Sequence, residues 1–199
     1  GGPAEPEIKL SYVIMNLVNV KRLPDNSPVE VRDLSISLDV DSWAWQMTGT
    51  VVGAGSMAAL EPTQAGPREI EVDINGHKWV FMIESYTASA KFPGERFTIK
   101  GVSRTQYLAD PYAPRRSKLS SNAINAKQAA DEELINTGFA LNWDYILAYT
   151  VPDWTIPAGV FGYQNKAPVE VIRWIVGTAG GVVIPSRDTD ALTVQPRFP

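Results

Sequence analysis

The sequence has no cysteine and only one histidine, His77. The absence of cysteine excludes disulfides, thiolate zinc sites and cysteine nucleophiles. His77 has no second histidine at metal-ligand spacing, and no serine near it forms a recognisable catalytic motif. We therefore expect His77 to be exposed and structural, at the tip of a hairpin.

Long apolar runs and a strong excess of one charge are also missing. No run approaches the roughly 20 apolar residues that a helix needs to cross a bilayer. The first seven residues, Gly-Gly-Pro-Ala-Glu-Pro-Glu, lack the basic and apolar regions of a signal peptide. The net charge is −4, from 18 basic and 22 acidic residues mixed along the chain. This distribution offers no broad surface to nucleic acid phosphates.

One basic run, Arg115-Arg116-Ser117-Lys118, stands out from this mixture. We interpret it as a solvated linker, with contact to a phosphate or an acidic partner as the alternative.

The first half of the chain has the pattern of successive antiparallel strands. Apolar and polar residues alternate over 34–41, and the tryptophan-rich run 42–51 continues as strand. Asn75-Gly76 lies between the alternating runs 70–74 and 79–83, which predicts a type I′ hairpin. Further strands are predicted over 85–91 and 96–102, joined by a turn at Pro93. Six or seven antiparallel strands predict a barrel or small sandwich.

The second half predicts a small α+β module with two helices, in the order α-β-β-α-β-β. A first helix is expected from a cap at Ser121 or Asn122 to Gly138, and a second, mostly buried helix begins at Pro168. Strands are expected at 139–143, 182–185 and 191–195, with an extended segment at 154–161. The expected division is a partly disordered lead-in at 1–27 that begins with residues of foreign origin, a barrel-like domain at 28–110, a linker at 111–121 and the module at 122–199.

Several acidic and glycine-rich segments invite a chemical role, but each has a simpler interpretation. Asp39 and Asp41 could form a carboxylate pair, although alternating carboxylates usually keep a sheet soluble. Asp188 and Asp190 could hold a cation, but Asp-x-Asp in a hairpin loop is usually turn chemistry, and a calcium loop supplies more oxygen ligands. The segment Gly53–Gly66 lacks the Gly-Lys-Ser/Thr ending of a phosphate loop. It predicts instead a loop with a short helical turn that packs onto neighbours. We therefore expect no catalytic, cofactor or metal site.

The tryptophans Trp43, Trp45 and Trp79 alternate with polar residues at strand spacing. This pattern favours core positions. A surface that contacts sugars or proteins is the alternative, because exposed indole rings stack well on both.

Several segments resemble phage tail and baseplate hub proteins, the late control protein D-like and Mu-like tail hub family. Three of them resemble the family's barrel domain: Val31–Trp45, Ile74–Glu84 and Ile99–Thr105. Four others resemble the module that follows it: Asp153–Gly159, Pro168–Ile172, Ala179–Gly181 and Val194–Pro199. The resemblance covers about residues 28–199 and contains no catalytic fingerprint.

This resemblance implies a non-enzymatic structural protein of a tail tip or baseplate hub, which links the tail tube to the tip. It implies a homo-oligomer, with a trimer suspected, and contacts with tail tube, tip or fibre proteins, but none with membranes or specific nucleic acids. Such a protein is made in the cytoplasm of the bacterial host and resides in the virion tail. Hubs of this family typically carry two barrel-like domains per chain, so a single barrel implies a fragment or a rearranged hub. The alternative function is a carbohydrate-binding or host-adhesion module of a tail-associated protein.

Overall fold

A computed structural model of the chain describes residues 16–64, 66–91, 94–143 and 151–198. The apolar stretch before residue 16 and the predicted turn at Pro93 lie outside the described residues. As predicted, the fold is α+β, with an antiparallel β domain followed by a small module that contains two helices.

The first half is a six-stranded antiparallel sheet that curls into a half-barrel. Its strands in chain order are β1 (Val18–Leu23), β2 (Val31–Ser37), β3 (Gln46–Val52), β4 (Glu69–Ile74), β5 (His77–Lys91) and β6 (Gly94–Ser103). Their order in the sheet is β1-β4-β5-β6-β3-β2. The two edges approach each other at one corner, where the Val29 N–H donates to the Val20 carbonyl at 2.9 Å and Lys21 forms an isolated bridge with Pro28.

Apolar side chains fill the concave side of this half-barrel. Met47, Val51, Ile70, Phe81 and Ile99 are almost completely buried there. A short helix, α1 (Ala54–Ala58), lies after β3 and adds the buried side chain of Met57 to the core. The predicted helical turn in the glycine-rich segment is thus confirmed, and its apolar side packs inward.

The predicted Asn75-Gly76 hairpin is confirmed. Asn75 and Gly76 both have positive φ, 54° and 85°, and they join Ile74 directly to its partner His77. Both φ values fit the type I′ turn, which matches the twist of the flanking strands.

The predicted strand over 34–41 is shorter than expected, and its continuation over 42–51 begins late. The ladder between β2 and β3 is irregular between Arg32 and Ser35, and β2 ends at Ser37. Beyond it the Asp39 carboxylate accepts the Asp41 N–H at 2.8 Å, an Asx turn that breaks the alternation and leaves Val40 half exposed. Strand β3 therefore begins only at Gln46.

The second half places two helices against small sheets. After a 3-10 helix (Arg104–Leu108), its strands are β7 (Arg116–Leu119), β8 (Ile124–Asn125), β9 (Ala140–Asn142), β10 (Thr155–Ile156), β11 (Gly162–Lys166), β12 (Gly181–Pro185) and β13 (Ala191–Pro196). The helices are α2 (Ala126–Glu133) and α3 (Pro168–Thr178). Strands β12 and β13 form the predicted hairpin, and β9 joins β13 in parallel. Strand β7 pairs with β11, and β8 with β10.

Helix α2 begins later than the sequence predicted. Ile124 and Asn125 pair with β10, so the capping position moves from Ser121 or Asn122 to Asn125. The prediction for α3 is confirmed, since Val169, Ile172 and Val176 are fully buried in the core of this half.

Two strands fall inside segments that were expected to be a partly disordered lead-in and a linker. Strand β1 lies in the predicted lead-in and joins the sheet, and β7 lies in the predicted linker. The division into two domains with boundaries near residues 110 and 122 stays a prediction.

Candidate functional site

The tryptophans singled out in the sequence lie where the two halves meet. Trp45 and Trp79 touch edge to face, with ring centroids 6.2 Å apart. The Trp45 indole N–H donates to the Pro185 carbonyl at 3.0 Å, which connects β3 to the end of β12. Trp43 is half-buried and packs against the core of the second half. These tryptophans therefore pack as core side chains, as predicted, but they do so at the junction between the two cores.

Arginines cover the faces of two of these rings. The Arg173 guanidinium lies 4.9 Å from the Trp43 ring centroid, and that of Arg187 lies 5.3 Å from the centroid of Trp79. Cations are attracted to the electron-rich face of an indole. A sugar ring would need the same faces, so these tryptophans do not form an open stacking platform.

The carboxylates Asp39 and Asp41 do not form a catalytic pair. The Asp39 carboxylate caps a turn, and that of Asp41 pairs with Arg197 at 2.7 Å. The Asp41 carbonyl also accepts from Arg173 at 2.6 Å. These contacts attach the loop between β2 and β3 to the second half.

The loop between β12 and β13 docks against the half-barrel. The Arg187 carbonyl accepts the Val80 N–H at 3.0 Å, and the Asp190 carboxylate lies 3.5 Å from Arg104. Within the described ranges, no group of three or more His, Cys, Asp or Glu side chains is placed to hold a metal ion. Of the two aspartates predicted as a possible cation site, Asp190 contributes to the contact between the halves.

The basic run is not a solvated linker, because it contains β7. Arg115 pairs with Asp110 at 3.3 Å, Arg116 with Glu133 at 3.8 Å and Lys118 with Glu132. All three cations have carboxylate partners within the chain. His77, by contrast, is exposed beside the hairpin turn, as predicted.

A long hairpin arm is the feature of the half-barrel most suited to contact other chains. We call residues 85–91 of β5 and 94–100 of β6 the arm. Strand β3 pairs with β6 as far as Arg96, but β4 pairs with β5 only from His77 to Met82. Within the described residues, the outer edge of β5 beyond Glu84 has no partner strand.

The sequence predicted strands in this region but not the free edge. One signal was available: Ser85-Tyr86-Thr87-Ala88-Ser89-Ala90 contains no charged residue and no proline. Edge strands that avoid pairing usually carry such residues.

A polar network lies at the Glu69 end of β4, where β5 continues toward the arm, in a cleft of about 470 Å³. Arg104 donates to the Glu69 carboxylate at 2.7 and 3.1 Å, and the Tyr107 hydroxyl donates to its other oxygen at 3.2 Å. Burial, together with the negative charge of Glu69, raises the pKa of Tyr107 to about 12. Tyr107 therefore remains a neutral donor at physiological pH. Nothing in the sequence pattern indicated this cleft.

No helix in the described part of the chain is long and apolar enough to cross a membrane. Neither a protein-family model nor a curated protein sequence matches the chain.

The combination of half-barrel and α+β module occurs in solved structures of tail proteins. The tail protein from Neisseria meningitidis MC58 matches with a TM-score of 0.61 and 14% identity, over 90% of this chain and 50% of that one. The 43 kDa tail protein of prophage MuSo2 from Shewanella oneidensis matches with a TM-score of 0.62 and 12% identity, over 91% and 53%. A chain of the Francisella PdpA-VgrG complex matches with a TM-score of 0.52 and 12% identity, over 90% and 31%.

The chain therefore has the fold of phage tail proteins, and the resemblance seen in the sequence is confirmed at the level of the fold. It spans about half the length of the two tail proteins that it matches.

Proposed function

We propose that this chain is a structural, non-catalytic component of a phage-type tail, located at the baseplate hub or tip, where it links the tail tube to the tip. Its fold is that of tail proteins. The observation that carries the proposal is the unpaired edge of the arm, which offers a row of backbone donors and acceptors to a neighbouring chain.

The partner that fits this edge best is another copy of the chain. An uncharged strand edge favours pairing by backbone hydrogen bonds, which repeat identically around a closed ring. We propose a homo-oligomer that contacts further tail proteins in the virion, and a trimer is the oligomer that we expect.

The alternative function, carbohydrate binding through Trp43, Trp45 and Trp79, has less support. The faces of Trp43 and Trp79 are covered by arginines, and the Trp45 N–H is bonded to Pro185. A glycan would have to displace contacts that hold the two halves together.

Light scattering behind a sizing column, over a series of protein concentrations, tests the assembly. We expect the mass to move from one chain toward three as the concentration rises. A mass of one chain at every concentration would contradict assembly through the arm.

Proline at Thr87 or at Ala88 tests the edge itself. Successive N–H groups of a strand point to opposite sides, so one of these variants loses only an outward-facing donor while the other weakens the pairing with β6. We expect the variant that loses only the outward-facing donor to stay monomeric and to unfold at nearly the parent temperature. If both variants assemble like the parent, the edge of β5 is not the contact.

A further inference from the structure

The cleft beside β4 is open to solvent and lined by groups from three separate parts of the half-barrel. The turn after β1 contributes Pro24 and Asn26, the loop before β4 contributes Thr63, and Arg68, Arg104 and Tyr107 complete the wall. We call it the Arg68 cleft. At about 470 Å³ it has room for one or two side chains of another molecule.

Arg68 is the unsatisfied group in this cleft. Its Nε atom is shielded from solvent and has no hydrogen-bond partner. Among the described residues, no carboxylate lies within ion-pair distance of its guanidinium. A positive group that is partly removed from water without a partner is costly to keep, so packing alone gives no reason for an arginine here.

The second arginine of the cleft differs in this respect. Arg104 is held by Glu69 at 2.7 Å and by Asp190 at 3.5 Å, so its charge is compensated within the chain. Both oxygens of Glu69 also accept hydrogen bonds from the chain. The charge still available to a ligand is therefore that of Arg68.

We propose that the Arg68 cleft binds a carboxylate group presented by an acidic peptide segment of another protein chain. The guanidinium of Arg68 donates to the carboxylate, a charge-assisted and directional contact. Prolines and the Asn26 and Thr63 side chains line the remaining wall and contact the peptide on either side. None of the residues that line this site belongs to the arm, and the site does not depend on the proposed assembly.

A carboxylate fits the charge of the cleft better than a phosphate does. One uncompensated positive charge matches a singly charged group, whereas a phosphate near neutral pH carries a charge between one and two. Glu69 lies in the same wall and repels the additional negative charge.

The test is a titration followed by the NMR signal of the Arg68 Nε–H, with capped hexaglutamate as the probe. We expect this signal to shift with hexaglutamate but not with hexaglutamine, and the affinity to fall as salt is added. In Arg68→Gln, the affinity measured from backbone amides near the cleft should fall at least tenfold. Arg32→Gln is the matched control, since Arg32 is exposed on β2 and lies outside both the cleft lining and the arm.

Two further results separate the proposal from its rivals. If Arg68 had only a structural role, Arg68→Gln would unfold at a lower temperature; we expect it to unfold at the parent temperature or above. Equal binding of hexaglutamate to parent and Arg68→Gln would overturn the site. Inorganic phosphate that shifts the Arg68 signal as strongly as hexaglutamate would overturn the assignment to an acidic peptide.

Discussion

At the scale of single residues, a few directional contacts fix how the two halves meet. The Trp45 indole N–H reaches the Pro185 carbonyl at 3.0 Å, across 140 positions of sequence. If this hydrogen bond is removed, the half-buried polar group that remains is partly shielded from water and has no partner, which costs free energy. This one contact should therefore be measurable in the stability of the whole chain.

We predict that Trp45→Phe lowers the free energy of unfolding by about 1–2 kcal/mol, because it removes the hydrogen bond and part of the edge-to-face contact with Trp79. Urea denaturation measures the change. The matched control is Trp174→Phe, since Trp174 is 53% exposed on α3 and should change stability by less than about 0.5 kcal/mol. Equal losses in the two variants would contradict the role of the junction.

The ionisation of Tyr107 makes the free energy of unfolding depend on pH in the alkaline range. Burial first, and the charge of Glu69 second, raise its pKa to about 12 in the folded chain, against 10.0 as the ordinary value. The folded state therefore keeps a proton that the unfolded state releases. The corresponding stability is complete below pH 10 and is lost as the pH rises toward 12.

We predict that Tyr107→Phe is less stable than the parent at neutral pH and that this difference narrows above about pH 10. The variant lacks the hydroxyl that donates to Glu69, but it also lacks the group whose titration weakens the parent. Burial raises the pKa of Tyr112 and Tyr163 as well, so the stability of both the parent and the variant still falls as the pH rises in the alkaline range. Urea unfolding at about pH 8.5, 10 and 11 checks this, and a constant difference would contradict it.

At the scale of elements, close packing inside the half-barrel explains one glycine in a strand. A Cβ atom on Gly101 of β6 would lie 3.0 Å from Cε of Met47, 3.1 Å from the Met82 carbonyl and 3.3 Å from Cβ of Phe81. The methionine can move, but the backbone oxygen cannot without shifting β5. Glycine therefore allows the sheet to curl tightly at this point.

We predict that Gly101→Ala destabilises the chain by about 1–3 kcal/mol through overpacking. Gly177→Ala is the matched control within an element, because nothing lies within 4 Å of its added Cβ in α3. Alanine favours the helix there and should stabilise by up to about 1 kcal/mol. Thermal unfolding of the two variants distinguishes packing from a general effect of replacing glycine.

Elements whose local and tertiary signals agree could be predicted from the sequence. The Asn75-Gly76 turn, the buried face of α3 and the β12–β13 hairpin each follow from a local pattern that the core supports. The exceptions are places where tertiary contacts override the pattern. Residues 38–41 alternate like a strand, yet the Asp39 turn and the Asp41–Arg197 pair hold them as a loop.

The candidate sites were less predictable than the fold. The unpaired edge of β5 depends on where the neighbouring strand β4 ends, and the local sequence of β5 does not predict that position. The Arg68 cleft depends on three segments that meet only in the folded chain, and on the absence of a carboxylate beside one arginine. Both sites arise from the arrangement of elements in the folded chain, so residue types at fixed spacing cannot predict them.

At the scale of the whole molecule, the contacts between the halves are polar, directional and distributed. Asp41 meets Arg173 and Arg197, Val80 meets Arg187, and Arg104 meets Asp190. They join the loop between β2 and β3, strand β5 and the start of the 3-10 helix to the second half.

We predict that the two halves unfold in one cooperative step. Tryptophan fluorescence reports the junction and the second half, where all six tryptophans lie, while far-UV circular dichroism reports the large sheet as well. If the junction couples the halves, both signals give the same urea midpoint and the same slope. Separate midpoints would mean that residues 28–110 and 122–199 fold as independent domains, and that the loop contacts between them are too weak to act as a rigid connection.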